Sequence, residues 1–126
     1  MQLDAADVIF SKYIRLRDGR CKRCKSPVVI NMNGDPVSHQ NSHFQVRRKE
    51  ATRFDEDNAD CLCDECHRYF TVNPREHYLW QVSIKGQELV DAIILKSNGY
   101  MKKDRKAVKA YWTQRYKELK ERLYAR

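Results

Sequence analysis

The chain has 126 residues, 41% of them hydrophobic and 33% charged, enough for one modest core and too few for two domains. Its longest apolar run, Ala92 to Leu95, falls far short of the ~20 residues of a membrane helix, and the N-terminus MQLDAADVIF has acids where a secretory signal has basic residues. The formal charge of +8 is concentrated at one end: Met101 to Arg126 holds ten Lys/Arg against three Asp/Glu. A membrane or secreted protein is therefore not expected, and an intracellular partner of nucleic-acid type is. In that setting disulfides are rare, so five cysteines point to a metal or to chemistry.

In chain order, residues 3–17 carry Val8, Ile9, Tyr13 and Leu16 at near-helical spacing, with Asp4 as cap and Asp18-Gly19 as stop. After Pro27, VVINM reads as a strand, Asn33-Gly34 as a hairpin turn, and Val37 to about Val46 as the return strand, which Pro36 either puts on an edge or delays until after the proline. Residues 47–61 have no period and read as a loop. A helix is predicted from Cys63 or Asp64 to about Phe70. A second starts at Pro74 and carries Tyr78, Leu79 and Val82. Gly86 breaks it, and GQELVDAIILKSN forms another. The last helix runs from about Asp104 to Tyr124, with a stripe of Val108, Trp112, Tyr116, Leu119 and Leu123.

Four cysteines form two pairs, Cys21-x2-Cys24 and Cys63-x2-Cys66. Each pair suits a knuckle presenting two thiolates, and two knuckles make a closed tetrahedral Zn²⁺ site with no open position, hence a structural one. Lys22, Arg23 and Lys25 offset its negative charge. Cys61 is left over and reads as a small buried hydrophobe.

Around the second pair stands Asn58-Ala-Asp-Cys-Leu-Cys63-Asp-Glu-Cys66-His67, and upstream of it Ser42-His43-Phe44. Over residues 21–70 this order and spacing resembles the HNH (ββα-metal) endonuclease family in its zinc-knuckle form. FSKYIRLRDGRCKRC, SHF, TRFDEDN, CLCDECH and the following P-x3-Y-x-x-W resemble, more narrowly, the phage NinG/Rap recombination nuclease family, associated with Holliday junctions and other branched DNA. The resemblance implies a zinc-stapled ββα-metal motif over residues 21–70; with the helices read above, the expected fold is α+β, the motif with flanking helices and a long basic C-terminal helix. From its length the chain is expected to be a single domain over 1–126, made of an N-terminal helix (1–20), the zinc-knuckle HNH motif (21–70), a helical extension (71–100) and the basic C-terminal helix (101–126).

The same resemblance assigns roles. His43 matches the general base that deprotonates water, Asn58 the middle Asn that bridges the loop, and His67 a ligand of one catalytic Mg²⁺ or Mn²⁺, distinct from the zinc. The family places Asp or His directly before the base; here Ser42 stands there, a weak ligand, and Thr71 stands where some members have a further His. His39 or Asp57 are candidate substitutes, though His39, like His77, reads otherwise as structural. Arg47, Arg48, Lys49 and Arg53 are candidate phosphate contacts, against a solvated loop balanced by Asp55, Glu56 and Asp57. Lys102, Lys103, Arg105, Lys106 and Lys109, flanking the apolar stripe of the last helix, are candidate DNA contacts. The expected function is a metal-dependent DNA endonuclease acting on branched DNA, in the bacterial cytoplasm of an infected or lysogenic host, with a homodimer as the simplest way to cut a junction. The alternatives are a zinc-knuckle DNA-binding module without catalysis, and an HNH enzyme nicking duplex DNA.

Overall fold

The computed structural model describes residues 3–125. The fold is α+β and mostly helical, with one two-stranded antiparallel sheet and a cluster of four cysteines. Among the described residues no helix is long and apolar enough to cross a membrane.

The first helix, α1, spans Ala5–Asp18. Asp4 caps it as expected, and Asp7 closes a capping box: each carboxylate accepts the other residue's backbone N–H at 3.0 Å. The helix stops at Gly19, whose φ of 69° lies in the left-handed region that glycine adopts without strain. Its buried face is Ala6, Phe10, Tyr13, Ile14 and Leu16. Val8, expected in the stripe, is exposed, because residues 6, 10, 13 and 14 define an apolar arc that leaves position 8 outside.

The strands correct the sequence reading. VVINM forms no named strand. The segment turns at Gly34, φ 81°, and in place of a ladder has the isolated bridges Arg20–Pro27 and Ile30–Pro36, a 2.9 Å bond from Val37 N–H to Val29 C=O and a 2.8 Å bond from Val29 N–H to Ser38 Oγ. Pro27 and Pro36 have no N–H to give, and Val29, Ile30 and Met32 stay exposed for want of an element to bury them. The return strand is shorter than 37–46: β1 covers Gln40–His43, after a left-handed break at His39 (φ 70°). Its partner is β2, Ala59–Leu62, at the end of the stretch read as loop. Gln40 lies opposite Leu62, Asn41 opposite Cys61, Ser42 opposite Asp60 and His43 opposite Ala59. Between the strands run a one-turn helix α2, Glu50–Arg53, and a 3₁₀ turn, Glu56–Asn58. β2 is buried at every position, so it shows neither alternation nor the β-branched run that marks a strand in sequence.

Four helices follow: α3 Asp64–Val72, α4 Pro74–Lys85, α5 Gln87–Ser97 and α6 Arg105–Tyr124. Cys63 caps α3 with its sulfur, and Asp104 caps α6 by accepting from Lys106 and Ala107 N–H. On α4 the buried residues are His77 and Gln81, in place of the expected Tyr78, Leu79 and Val82; Leu79 is exposed. On α6 Trp112, Tyr116 and Leu119 are buried and Val108 packs beside them, but Leu123 is exposed because a helix of 20 residues outruns the 14-residue α1 it lies on.

The main core is the α1–α6 seam with Phe54 and Ala59. Phe10 meets Trp112 edge-on with centroids 4.8 Å apart, and Tyr13 lies 4.9 Å from the same indole. The far end of α6 braces the 28–37 hairpin. Tyr116 Oη donates to Asp35 at 2.5 Å, Lys120 Nζ pairs with it at 3.0 Å, and the Tyr124 ring lies over Gly34, where a Cβ would come within 2.8 Å. A smaller core joins Cys21, Leu62, Cys66 and Phe70, with Trp80 against it.

Candidate functional site

The two cysteine pairs, 39 residues apart at their nearest members Cys24 and Cys63, converge beneath this smaller core. The first pair sits in a tight turn. Cys21 N–H donates to Ser26 C=O at 2.8 Å, Lys25 N–H to Cys21 C=O at 2.9 Å, and Lys25 takes a left-handed φ of 71°. The second pair opens α3. All four Sγ atoms lie within 4.8 Å of one another, and Cys24 to Cys63 is 3.7 Å. With Zn–S bonds of ~2.3 Å, a tetrahedron has edges of ~3.8 Å, so the quartet can hold a metal ion such as zinc. Within each pair a backbone N–H reaches a sulfur at 3.4 Å (Cys24 N to Cys21, Cys66 N to Cys63), and Arg23 Nη1 reaches Cys66 Sγ at 3.5 Å. Ser26 brings the Cys24 thiol down to about 6, whereas burial pushes Cys66 up to about 12. Cys66 as a thiolate in this buried place calls for a cation beside it. Cys61 is fully buried, and burial raises its thiol to about 12, as suits a small core residue.

Asn58, fully buried, clasps the loop between the strands. Its Oδ1 accepts Gln45 N–H at 2.7 Å; its Nδ2 donates to Gln45 C=O at 3.0 Å and to Thr52 C=O at 3.1 Å. His43, at the end of β1, is half-buried beside Phe10, centroids 6.3 Å apart. Its Nε2 is 2.9 Å from the Arg53 carbonyl. A carbonyl only accepts, so Nε2 carries the proton and Nδ1 keeps the lone pair. Burial holds the imidazole below its ordinary pKa, so it is neutral at pH 7. It lines a 240 Å³ cleft with Asp7, Val8, Arg15, Gln40, Asn41 and Arg47 among its walls.

His67 lies elsewhere. It opens on a second cleft of 470 Å³, shared with Gln40, Asp64, Arg68 and Thr71. Its Nδ1 is inaccessible and has no hydrogen-bond partner, and burial lowers its pKa. The Thr71 hydroxyl donates to His67 C=O at 2.8 Å. Gln40, which donates to Asp64 Oδ1 at 3.0 Å, is the residue common to the two clefts. His43, on β1, and His67, on α3, thus line different clefts that meet at Gln40. Ser42 is buried opposite Asp60, 3% exposed. His39 bonds Ser38 and Ser26 through its two ring nitrogens, and His77 is buried in a polar network. Asp57 belongs to the 3₁₀ turn and lines neither histidine's cleft. Among the described residues the cysteine quartet is the one group of three or more ligating side chains. For a second cation His67 has Asp64 and Thr71 within its cleft, a donor set that suits a largely hydrated ion.

The basic candidates divide. Arg53 is 5% exposed and committed: its Nε donates to Asp7 Oδ1 at 2.8 Å and its Nη2 to Asp7 Oδ2. Arg105 pairs with Glu50 at 2.6 Å and with Asp4. Lys49 bonds Gln45 and Asn98. All three therefore have partners within the chain, acids for the two arginines and amides for Lys49. Arg47 lines the His43 cleft and Arg48 is exposed. Lys102, Lys106 and Lys109 are exposed near the start of α6, and Lys103 lines a 710 Å³ groove with Lys96, Asp55 and Glu56.

Asp7, Gln40, Asn41, Asp64 and Arg68 escaped the sequence reading. Only Asp7 left a signal, the Asp-x-x-Asp spacing of a capping box, and nothing in that spacing points to Arg53, 46 residues away. Comparison with known proteins found no matching family model, no matching curated protein and no matching solved structure.

Proposed function

We propose that this chain is a metal-dependent DNA endonuclease that hydrolyses phosphodiester bonds, acting on branched DNA such as Holliday junctions during phage recombination. The observation that carries the reading is His43: a neutral imidazole with Nε2–H fixed on a carbonyl and Nδ1 left to accept a proton, lining a cleft that also holds Arg47. That is the state a general base needs at physiological pH. The Asn58 clasp fixes the loop that carries Arg53, and so fixes the base. In this reading the cysteine quartet holds a structural Zn²⁺. His67, helped by Asp64, holds a hydrated Mg²⁺ or Mn²⁺, whose chemistry would be to neutralise charge on the scissile phosphate. A phosphodiester backbone laid across β1 at Gln40 would reach both clefts. A two-fold dimer would present two such sites to a junction.

A second reading is a zinc-knuckle DNA-binding module without catalysis. It is favoured by Ser42, which stands beside the base yet is buried, and by the separation of His43 from His67. Incubating zinc-loaded protein with matched junction, duplex and single-stranded DNA, each with Mg²⁺, Mn²⁺ or chelator, separates the two. Metal-dependent cleavage strongest on the junction supports the nuclease. Cleavage of duplex alone makes it a nicking enzyme. Binding without cleavage under every condition leaves the module.

A further inference from the structure

The buried pair Asp7–Arg53 lies directly behind His43. α2 has four residues, too few to hold its own position by helical hydrogen bonding. Besides the Asn58 bond to the Thr52 carbonyl, it is tied to α1 through Arg53, whose guanidinium reaches both oxygens of Asp7. Asp7 in turn is held by the capping box of α1, and α1 is packed on α6 through Phe10, Tyr13 and Trp112. At the other end of the same residue, the Arg53 carbonyl accepts His43 Nε2–H. Glu50 and Arg105 extend the network to α6: Arg53 Nη1 lies 3.8 Å from Glu50, and Glu50 is also bound by Arg105.

We propose that Asp7 and Arg53 are positioning residues for His43: their ion pair sets the Arg53 carbonyl against Nε2–H, and so fixes the tautomer that leaves Nδ1 as proton acceptor. This rests on the nuclease reading for its catalytic meaning, but not for its structural content. A buried ion pair adds little net stability over apolar residues of the same size, whereas its two parallel hydrogen bonds fix direction. A shift of the carbonyl by an ångström would free the imidazole to exchange tautomers, and the wrong tautomer offers an N–H where the lone pair is needed.

The test uses the zinc-loaded full chain with ¹⁵N-labelled histidine. Long-range ¹H–¹⁵N correlation reads the His43 tautomer without any activity. The wild type is expected to hold the Nε2–H form above pH 7. The double variant Asp7→Leu/Arg53→Met removes both charges at once, avoiding an unpaired buried ion. It is expected to keep zinc, to mix the two tautomers, and to lose about tenfold or more in kcat with KM for DNA within about twofold. Asp7→Glu, which keeps the charge, is expected to recover part of the wild-type spectrum and rate. A wild-type Nδ1–H tautomer overturns the inference outright, as does a folded double variant with an unchanged spectrum. If the double variant fails to fold, Asp7→Asn at the same readout decides it. A wild type that cuts no DNA while the tautomer follows the pair defeats the nuclease reading and leaves the positioning intact.

Discussion

The imidazole of His77 lies flat on the ring of Phe70, centroids 4.8 Å apart and planes 11° from parallel. Its Nε2 accepts from Gln81 Nε2 at 3.2 Å, and the same amide nitrogen donates to the buried carboxylate of Asp60 at 2.8 Å. Lys85 closes the network on Asp60 at 2.9 Å. Protonating His77 would cost its acceptor role and place a cation in a site packed on Phe70.

That gives a pH prediction. Burial depresses His77 to about 4, against 6.5 ordinarily. Between those values the unfolded chain binds the proton that the folded chain refuses, so stability is fully present above about pH 6.5 and is lost as pH falls toward 4. At 1.36 kcal/mol per unit the loss is about 3 kcal/mol. Denaturant midpoints measured from pH 8 to 4 should fall accordingly. His77→Phe should flatten that slope, while costing about 1 kcal/mol at neutral pH for the lost Gln81 bond. An unchanged acid limb in His77→Phe would place the acid sensitivity in other groups.

Asn58→Ala should be among the costliest single changes on the loop. It leaves Gln45 N–H and two carbonyls without partners in a buried site. A loss of about 3 kcal/mol is expected in urea unfolding. Asn58→Asp should do no better, because a carboxylate cannot donate to the Gln45 and Thr52 carbonyls. Near-wild-type stability of either variant would show that the clasp is dispensable.

The cysteine quartet predicts about one zinc per chain in protein purified without chelators. Cys66→Ser should unfold or precipitate the protein, since the second core is built on Cys21, Leu62, Cys66 and Phe70. Cys61→Ser, by contrast, should retain full metal content while losing stability. Elemental analysis of the two variants side by side checks both statements.

On the nuclease reading, His43→Ala should lose at least ~10²-fold in cleavage with zinc content and DNA affinity intact, because a general base acts in the transition state. His67→Ala should also lose activity but recover in part at high Mn²⁺, since it weakens metal affinity and not proton transfer. Rates for His43→Ala equal to wild type would remove His43 from the chemistry.

DNA affinity should fall steeply with salt, and the exposed lysines should account for it. Replacing Lys102, Lys106 and Lys109 with Gln should each lower the log–log salt slope by up to ~0.9. Arg105→Gln should leave the slope unchanged and cost about 1 kcal/mol of stability, because its guanidinium is already bound to Glu50 and Asp4. A slope that drops with Arg105 alone would reverse this division.

Local chemistry was legible in the chain. Asp4, Gly19, Pro74, Gly86 and Asp104 mark helix ends because capping and left-handed turns depend on a residue and its nearest neighbours. The cysteine spacing likewise implied a quartet, since a knuckle is a local turn and a metal site demands four ligands. Partner choice was not legible. VVINM has strand composition yet stays unpaired in a ladder, while ADCL, without it, forms β2, because pairing depends on what each segment can be buried against. The fate of the basic residues was also settled by assembly. Arg53 and Lys106 look alike in sequence; one meets Asp7 in the interior and the other meets solvent, since whether a charge is neutralised depends on which element folds beside it. For the same reason the sequence put His43 and His67 in one motif, and only the tertiary structure, by packing α3 against β1, decided which cleft each side chain lines.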